Sequence, residues 1–410
     1  MSGTAATVLP FEEARARVEK YAKGVSPTEP ESVDLARAGG RVLAEALVAD
    51  RDFPPFPRSA RDGYAVRAAD VARVPVKLKI IGESKAGAAP GEAPAQMHSG
   101  EAVVIMTGAP TPEGADAVVM VEYTSRDDST VEIQKSAAAG ENIVPRGSEG
   151  RAGAVLLQRG DRLDAAGVAV AASVGKASLL VHALPRVAIL ATGDEIVDIA
   201  AAPGPNQIRN SNSYSIAAQV RAAGGLPVLL PIAPDEPKQL RRLIEQGLQS
   251  DLLLLAGGVS MGKYDLVEQV LDELGAEFFF TGALIQPGRP VVFGRTREKY
   301  FFGLPGNPVS TMVTFGLFAR PMLEALGGAR LRPLAFFPVR LKREIKVRTG
   351  LTRFLPGLLT GQFGELKVEL ATWQGSGDIA GAARANCYVV VPPDRERIAA
   401  GETAKVWMTA

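Results

Sequence analysis

Between residues 185 and 326, short apolar runs alternate with segments whose apolar residues recur every three or four positions. Runs at 186–191, 226–232, 252–256, 290–293 and 300–304 predict strands, and 213–223, 238–248, 265–274 and 309–326 predict helices. Within 265–274, Leu266, Val267, Val270, Leu271 and Leu274 fall on one helical face. Strand and helix in alternation predict a mainly parallel sheet with helices on both sides.

The flanking pattern is different. Phe11, Ala14, Val18 and Tyr21 sit at helical spacing among charges, and a second helical stretch is expected from Ser32 or Asp34 toward Leu47. From Asp52 the chain turns rich in proline and glycine, with short alternating runs at 76–81, 101–106, 117–122 and 130–134 that predict a β-rich insert. Residues 155–157 and the alanine-rich 165–174 read as a return to the first helical layer. Beyond Arg330, strands are expected at 337–341, 365–369, 388–391 and 404–407. The expected organisation has four parts: a discontinuous helical domain (1–50 with 150–184), the insert (51–149), the α/β domain (185–329) and a C-terminal β domain (330–410).

Composition narrows the chemistry. The chain has 410 residues, 46% of them apolar, enough for several packed cores. Lys and Arg number 46 against 45 Asp and Glu, so no global basic field exists to hold nucleic acid or an acidic membrane. Cys387 is the single cysteine, and His98 and His182 are the two histidines, which excludes disulfide frameworks, thiolate zinc sites and imidazole metal clusters. The first twenty residues lack a secretory pattern, and Lys176 and His182 interrupt the apolar segment 165–184; a soluble cytoplasmic protein is expected.

In an open parallel sheet, ligands bind beyond the carboxyl ends of the strands, where loops entering helices expose backbone N–H groups. Three such loops stand out: Thr192-Gly193-Asp194-Glu195, Gly257-Gly258-Val259-Ser260-Met261-Gly262 with Asp265 just after, and Pro305-Gly306-Asn307-Pro308. The second is a candidate phosphate cradle, or else a plain strand-to-helix connection. Glu195, Asp235 and Asp265 fall at the same end of the expected sheet and point to an oxygen-coordinated Mg²⁺; helix N-capping fits Asp235 and Asp265 equally. In the insert, Asp62-Gly63-Tyr64-Ala65 reads as a hairpin turn or a second polar site.

These motifs, together with Met106-Thr107-Gly108-Ala109, resemble in order and across nearly the whole chain those of the molybdopterin molybdenumtransferases, the MoeA family that includes the gephyrin E-domain. The resemblance implies an elongated homodimer of four-part subunits that takes a small-molecule pterin. Adenylylated molybdopterin and molybdate would be substrates, Mg²⁺ the cofactor, and AMP the released product. It implies catalytic roles for Asp62, Glu195 and Asp265, with Glu195, Asp235 and Asp265 on the metal. Thr107, Thr192, Gly193, Gly257, Gly258, Ser260, Gly262, Pro305, Gly306 and Asn307 would hold the cofactor. Arg289, Arg353 and Ser376 are the candidates for molybdate, a dianion that needs donors. Implied partners are the adenylyltransferase and maturation proteins of molybdoenzymes, with no nucleic acid or membrane.

The sequence departs from the family pattern at Gln286, where many members carry lysine, and at Leu351, where an arginine is expected. A rearranged oxyanion pocket or weakened metal handling follows. Two alternatives therefore stand beside the transferase: a pterin-binding or scaffold paralogue, and the adenylyltransferase reaction of the same α/β domain type.

Overall fold

The computed structural model describes residues 7–87, 91, 92, 94, 96–258, 266–362 and 364–408. They form two compact units. One holds the chain up to Ala44, Gly160–Asp164 and everything from Ser178 onward; the other holds Glu45–Arg159 and Ala165–Ala177.

The first unit is built on a six-stranded sheet. Its elements are helix α1 (Phe11–Ala22), β1 (Arg186–Ala191), α2 (Ser211–Ala222), β2 (Leu226–Leu229), α3 (Pro237–Gly247), β3 (Leu252–Ala256), α4 (Leu266–Glu273), β4 (Glu277–Phe280), β5 (Val292–Thr296), β6 (Lys299–Leu304), α5 (Pro308–Thr314) and α6 (Arg320–Leu326). The strand order is β2-β1-β3-β6-β5-β4. β2, β1, β3 and β6 run parallel, while β5 and β4 close the far edge antiparallel.

Side-chain alternation divides the core between the two faces of the sheet. Val187, Ile189, Leu252, Leu254 and Phe302 pack with α1, α2, α5 and α6. Ala188, Leu190, Leu253, Leu255 and Phe301 pack with α3 and α4, where the expected apolar face supplies Val267, Val270, Leu271 and Leu274. The first face is aromatic at its centre: Phe293 stacks on Phe302 with ring centroids 4.6 Å apart, and Tyr21 of α1 stacks on Phe279 at 3.8 Å. α1 is therefore part of the sheet's own core. Its acidic first turn, Glu12 and Glu13, and basic Lys20 at the last suit the helix dipole.

The helix expected from Ser32 or Asp34 to Leu47 is not formed. Pro30–Asp34 is a strand paired antiparallel with Ser178–His182 over five residues, and Leu47–Val48 pairs with Val155–Leu157, so the latter is no return to a helical layer. Gly39 and Gly40, the latter at φ +80°, break the run, and a partner strand far along the chain outweighs the weak helical period. The predicted helix at 309–326 is α5 and α6 joined through a π turn, Phe315–Ala319, whose Leu317 carbonyl accepts a hydrogen bond from Arg15 Nη1 at 2.5 Å.

The rest of this unit is a β barrel. Thr352–Thr360 (β7) pairs with Lys367–Leu370 on one side and Cys387–Val391 (β8) on the other, and Phe337–Leu341 and Thr403–Met408 complete the ring. β7, the longest of these strands, escaped the sequence pattern because it is buried on both faces and does not alternate. Cys387 lies buried in the barrel wall, and burial pushes its thiol up to about 11.

The second unit is centred on a mixed six-stranded sheet, ordered Ala117–Met120, Gly63–Val66, Glu101–Ile105, Val76–Ser84, Thr130–Ile133 and Thr124–Arg126, and includes the helix Ala165–Ser173. All four alternating runs read from the insert are strands here.

Phe293 is fully buried between five other rings. Phe293→Ala is expected to destabilise this unit by about 3–5 kcal/mol, the range for deleting a core phenylalanine. Urea unfolding followed by circular dichroism measures it; a loss under about 1 kcal/mol contradicts the packing described.

Candidate functional site

The register of the central strands sets the site. Ala191, Ala256 and Leu304 end β1, β3 and β6 level with one another, so the three glycine-containing loops leave the sheet side by side. They border a cleft of about 790 Å³ lined by Thr192 and Glu195 from the first loop, Gly257 and Gly258 from the second, and Pro305, Gly306 and Asn307 from the third. This is the carboxyl edge at which open α/β sheets bind ligands.

Backbone geometry explains the glycines of the second loop. Gly257 and Gly258 have φ of +95° and +66°, and a Cβ on Gly258 would lie 2.6 Å from Thr192 Oγ1. Thr192 is 4% exposed, and its buried Oγ1 has no hydrogen-bond partner among the described residues. A sealed hydroxyl left unpaired costs about 1–3 kcal/mol. The remainder of that loop, with Ser260, Gly262 and Asp265, lies outside the described residues.

The acidic residues separate. The exposed Glu195 carboxylate folds back beside Gly193, at the cleft. Asp235 is exposed and outside the cleft lining; its backbone N–H donates to Asp194 Oδ1 at 3.0 Å. The N-cap of α3 is Glu236, whose carboxylate accepts from the Lys238 and Gln239 N–H groups, so the capping alternative for Asp235 is not realised either. Among the described residues no group of three His, Cys, Asp or Glu side chains is placed to hold a metal ion.

The third loop is tied on both sides. Asn212 Nδ2 donates to the Gly306 carbonyl at 2.7 Å, and Asn307 Nδ2 donates to Ser376 Oγ at 3.0 Å, with the Val309 N–H on the Ser376 carbonyl. Ser376 is thereby held at the rim of the cleft, next to the lining residue Gly377. Arg289 is exposed and neighbours the lining residue Pro290. Arg353 is 7% exposed, opposite Gln286 in the strand register, and donates to the Leu351 carbonyl; it does not line the cleft, and burial lowers its pKa.

Asn210 and Asn212 were missed in the sequence. Asn210 caps α2, its Oδ1 accepting from the Ser213 N–H at 3.1 Å, and Asn212 lines the cleft with a buried Oδ1 that has no partner among the described residues. The signal was the Asn-Ser-Asn triplet ahead of an apolar helical period, an N-cap signature.

In the second unit Asp62 Oδ1 accepts two hydrogen bonds from Thr107, from the N–H at 2.6 Å and the hydroxyl at 2.9 Å. The Asp62-Gly63 turn thus carries a polar clamp, and the Thr107 N–H, followed by its hydroxyl, holds the Asp62 carboxyl below its ordinary value.

Three family models tile the chain in order: the MoeA N-terminal region, domains I and II, at 9–175; the probable molybdopterin binding domain at 188–325; and the MoeA C-terminal region, domain IV, at 338–408. Molybdopterin molybdenumtransferase from a Nostoc strain is 35% identical, covering 93% of this chain and 89% of its own length. The chain belongs to the MoeA family. The same enzyme from Bacillus subtilis is 32% identical over 98% of this chain and 94% of its own. Among solved structures, the molybdopterin biosynthesis MoeA protein of Pyrococcus horikoshii OT3 superposes with a TM-score of 0.76 at 28% identity, covering 98% of this chain and 100% of that one. In this MoeA-family chain the cleft lies within the segment matched as molybdopterin-binding and is flanked by Gly377 and Ile379 of the C-terminal region.

The Asp62 clamp has an acid signature. Its folded pKa lies below the ordinary 3.8, so its contribution is complete above that value and is lost as pH falls through the lower folded value. Wild-type stability should therefore drop faster than that of Asp62→Ala between about pH 5 and 2.5, the two curves converging in acid. Parallel curves from urea midpoints across that range would show the clamp contributes nothing.

Proposed function

We propose that this chain inserts molybdate into adenylylated molybdopterin and releases AMP. Its membership in a family of molybdenum cofactor biosynthesis enzymes supports the class of reaction. The observation that carries the site assignment is the cleft where three loops meet and where Thr192 Oγ1 and Asn212 Oδ1 have no partner among the described residues.

In this reading Thr192, Gly193, Gly257, Gly258, Pro305, Gly306 and Asn307 hold the pterin and its phosphate, and Ser260 and Gly262 continue the same loop. Backbone N–H groups at a strand-to-helix junction suit a phosphate, and the two unpaired oxygens suit the N–H groups of a pterin ring. Glu195 is the carboxylate within reach of the adenylyl phosphoanhydride, placed to orient the attacking oxygen and accept its proton. Ser376, with Arg289, is assigned to molybdate, and Ser376 has the clearest support, because its hydroxyl is fixed by Asn307; Arg353, the third candidate, lies outside the cleft lining and is set aside. Asp62 and Thr107 act from the insert of a second copy in a homodimer. The four-part domain division, cytoplasmic location and contact with the adenylyltransferase and maturation proteins belong to the same proposal. No helix among the described residues is long and apolar enough to cross a membrane.

Mg²⁺ is the expected cation on family grounds. Of its three expected ligands, Glu195 borders the cleft, Asp235 is outside the lining, and Asp265 is outside the described residues. The described residues do not compose a metal site, and no step above is taken through a metal.

Purified protein given adenylylated molybdopterin, molybdate and Mg²⁺ should release AMP and yield metal-loaded pterin. No AMP in that assay sinks the proposal, and undiminished release after chelation removes Mg²⁺ from it. Glu195→Gln should lower the rate by about 10- to 1,000-fold, as expected for a group acting on the reacting centre, and Thr192→Val should weaken pterin binding and lower kcat/KM by about tenfold. Wild-type rates in both variants would move the chemistry elsewhere.

A further inference from the structure

A second cleft, of about 750 Å³, lies in the same unit between the α6 end of the α/β part and the last strand of the barrel. Five guanidinium groups, those of Arg15, Arg162, Arg320, Arg330 and Arg332, line it against the carboxylates of Asp161 and Glu324. On a chain of 46 basic and 45 acidic residues this is a marked local excess of positive charge.

The pairing is incomplete in a particular way. Arg320 Nε meets Glu324 at 2.9 Å, Arg330 meets Asp161 at 3.4 Å, and Arg15 meets Glu19 at 2.7 Å. Among the described residues Arg162 has no carboxylate in ion-pair contact; it donates to the carbonyls of Gly40 at 2.8 Å and Ala223 at 3.1 Å. Burial lowers its pKa, Glu324 opposes that, and the nearby Arg320 and Arg332 add to it, so these cations sit close enough to repel one another. Arg332 is exposed and makes no ion pair among the described residues. Holding a desolvated guanidinium among like charges is unfavourable until an anion joins them. The floor is Trp407, which packs against Gly316, where a Cβ would lie 2.6 Å from the indole; Pro321 and Pro333 stiffen the walls.

We propose that this cleft binds a small multivalent oxyanion, with the class of inorganic or organic phosphates as its ligand. Guanidinium forks match tetrahedral oxyanions in pairs, and the volume admits a ligand up to nucleotide size. The site is separate from the carboxyl-edge cleft: none of its lining residues is shared with it.

The test is calorimetric titration of the full chain with inorganic pyrophosphate, phosphate and AMP at low salt, with sodium chloride at matched ionic strength as the control. Trp407, one of two tryptophans, reports from within the cleft. Pyrophosphate should bind one site per chain with Kd below about 1 mM. Binding should change Trp407 fluorescence, weaken at high salt and fall at least about tenfold in Arg320→Ala/Arg332→Ala. Asn212→Ala, at the other cleft, should leave this binding unchanged, and Arg332→Ala should leave AMP release unchanged. Tighter binding of AMP than of pyrophosphate would assign the site to organic phosphates; the reverse order would assign it to inorganic ones. If the double variant unfolds, Arg332→Ala alone decides, since its side chain is exposed. No saturable heat, equal binding by the arginine variants, loss of binding in Asn212→Ala, or an equal effect of chloride each overturns the proposal.

Discussion

The parallel hydrogen-bonded register of β1, β3 and β6 is the constraint on which the site depends. Because Ala191, Ala256 and Leu304 are neighbours in that register, the chain must leave the sheet three times along one edge. Each departure exposes backbone donors before the next helix begins. A shift of one residue in any of these strands would send its buried side chains to the opposite face and withdraw one loop from the cleft. The apolar cores on both faces of the sheet hold the register, so packing energy is what aligns the polar edge.

Close approach then determines the chemistry of that edge. Two glycines in left-handed conformation bring the start of the second loop against Thr192, whose sealed hydroxyl has no partner among the described residues, and among those residues the Asn212 side chain is left half satisfied while it tethers Gly306. Unpaired buried oxygens are unfavourable in a folded chain, and here two of them line one cleft. The tether from Asn307 to Ser376 carries the same cleft into the barrel region, so the third loop answers to both parts of the unit. The carboxylates behave differently. Of the described acidic candidates Glu195 borders the cleft, whereas Asp235 is outside its lining, with its backbone N–H donating to Asp194.

Charge in the first unit is distributed unevenly as well. The carboxyl-edge cleft is bordered mainly by amides, hydroxyls and glycine backbone, with Arg209 in its lining, whereas five arginines gather at the second cleft near Trp407. Arg353 belongs to neither: it is buried in the barrel strand β7, with a carbonyl as its recorded partner. The arginine two residues from Leu351 in the chain is thus not an arginine of the cleft.

Local periodicity was enough to read the alternating strands and helices of residues 185–326, the strands of the insert and the apolar face of α4, because each of those signals repeats within a few residues. The three loops and the motif order, and through them the family, were legible for the same reason. What periodicity could not supply was partnership. Residues 30–34 are a strand because Ser178–His182 lies beside them, and β7 is a strand although both its faces are buried. The level ends of β1, β3 and β6, the position of Asn212 over Gly306, the exclusion of Asp235 and the gathering of five arginines likewise come from hydrogen bonds and packing between residues far apart in the chain. Tertiary structure decided them, since a sequence pattern records which face a side chain occupies but not what that face meets.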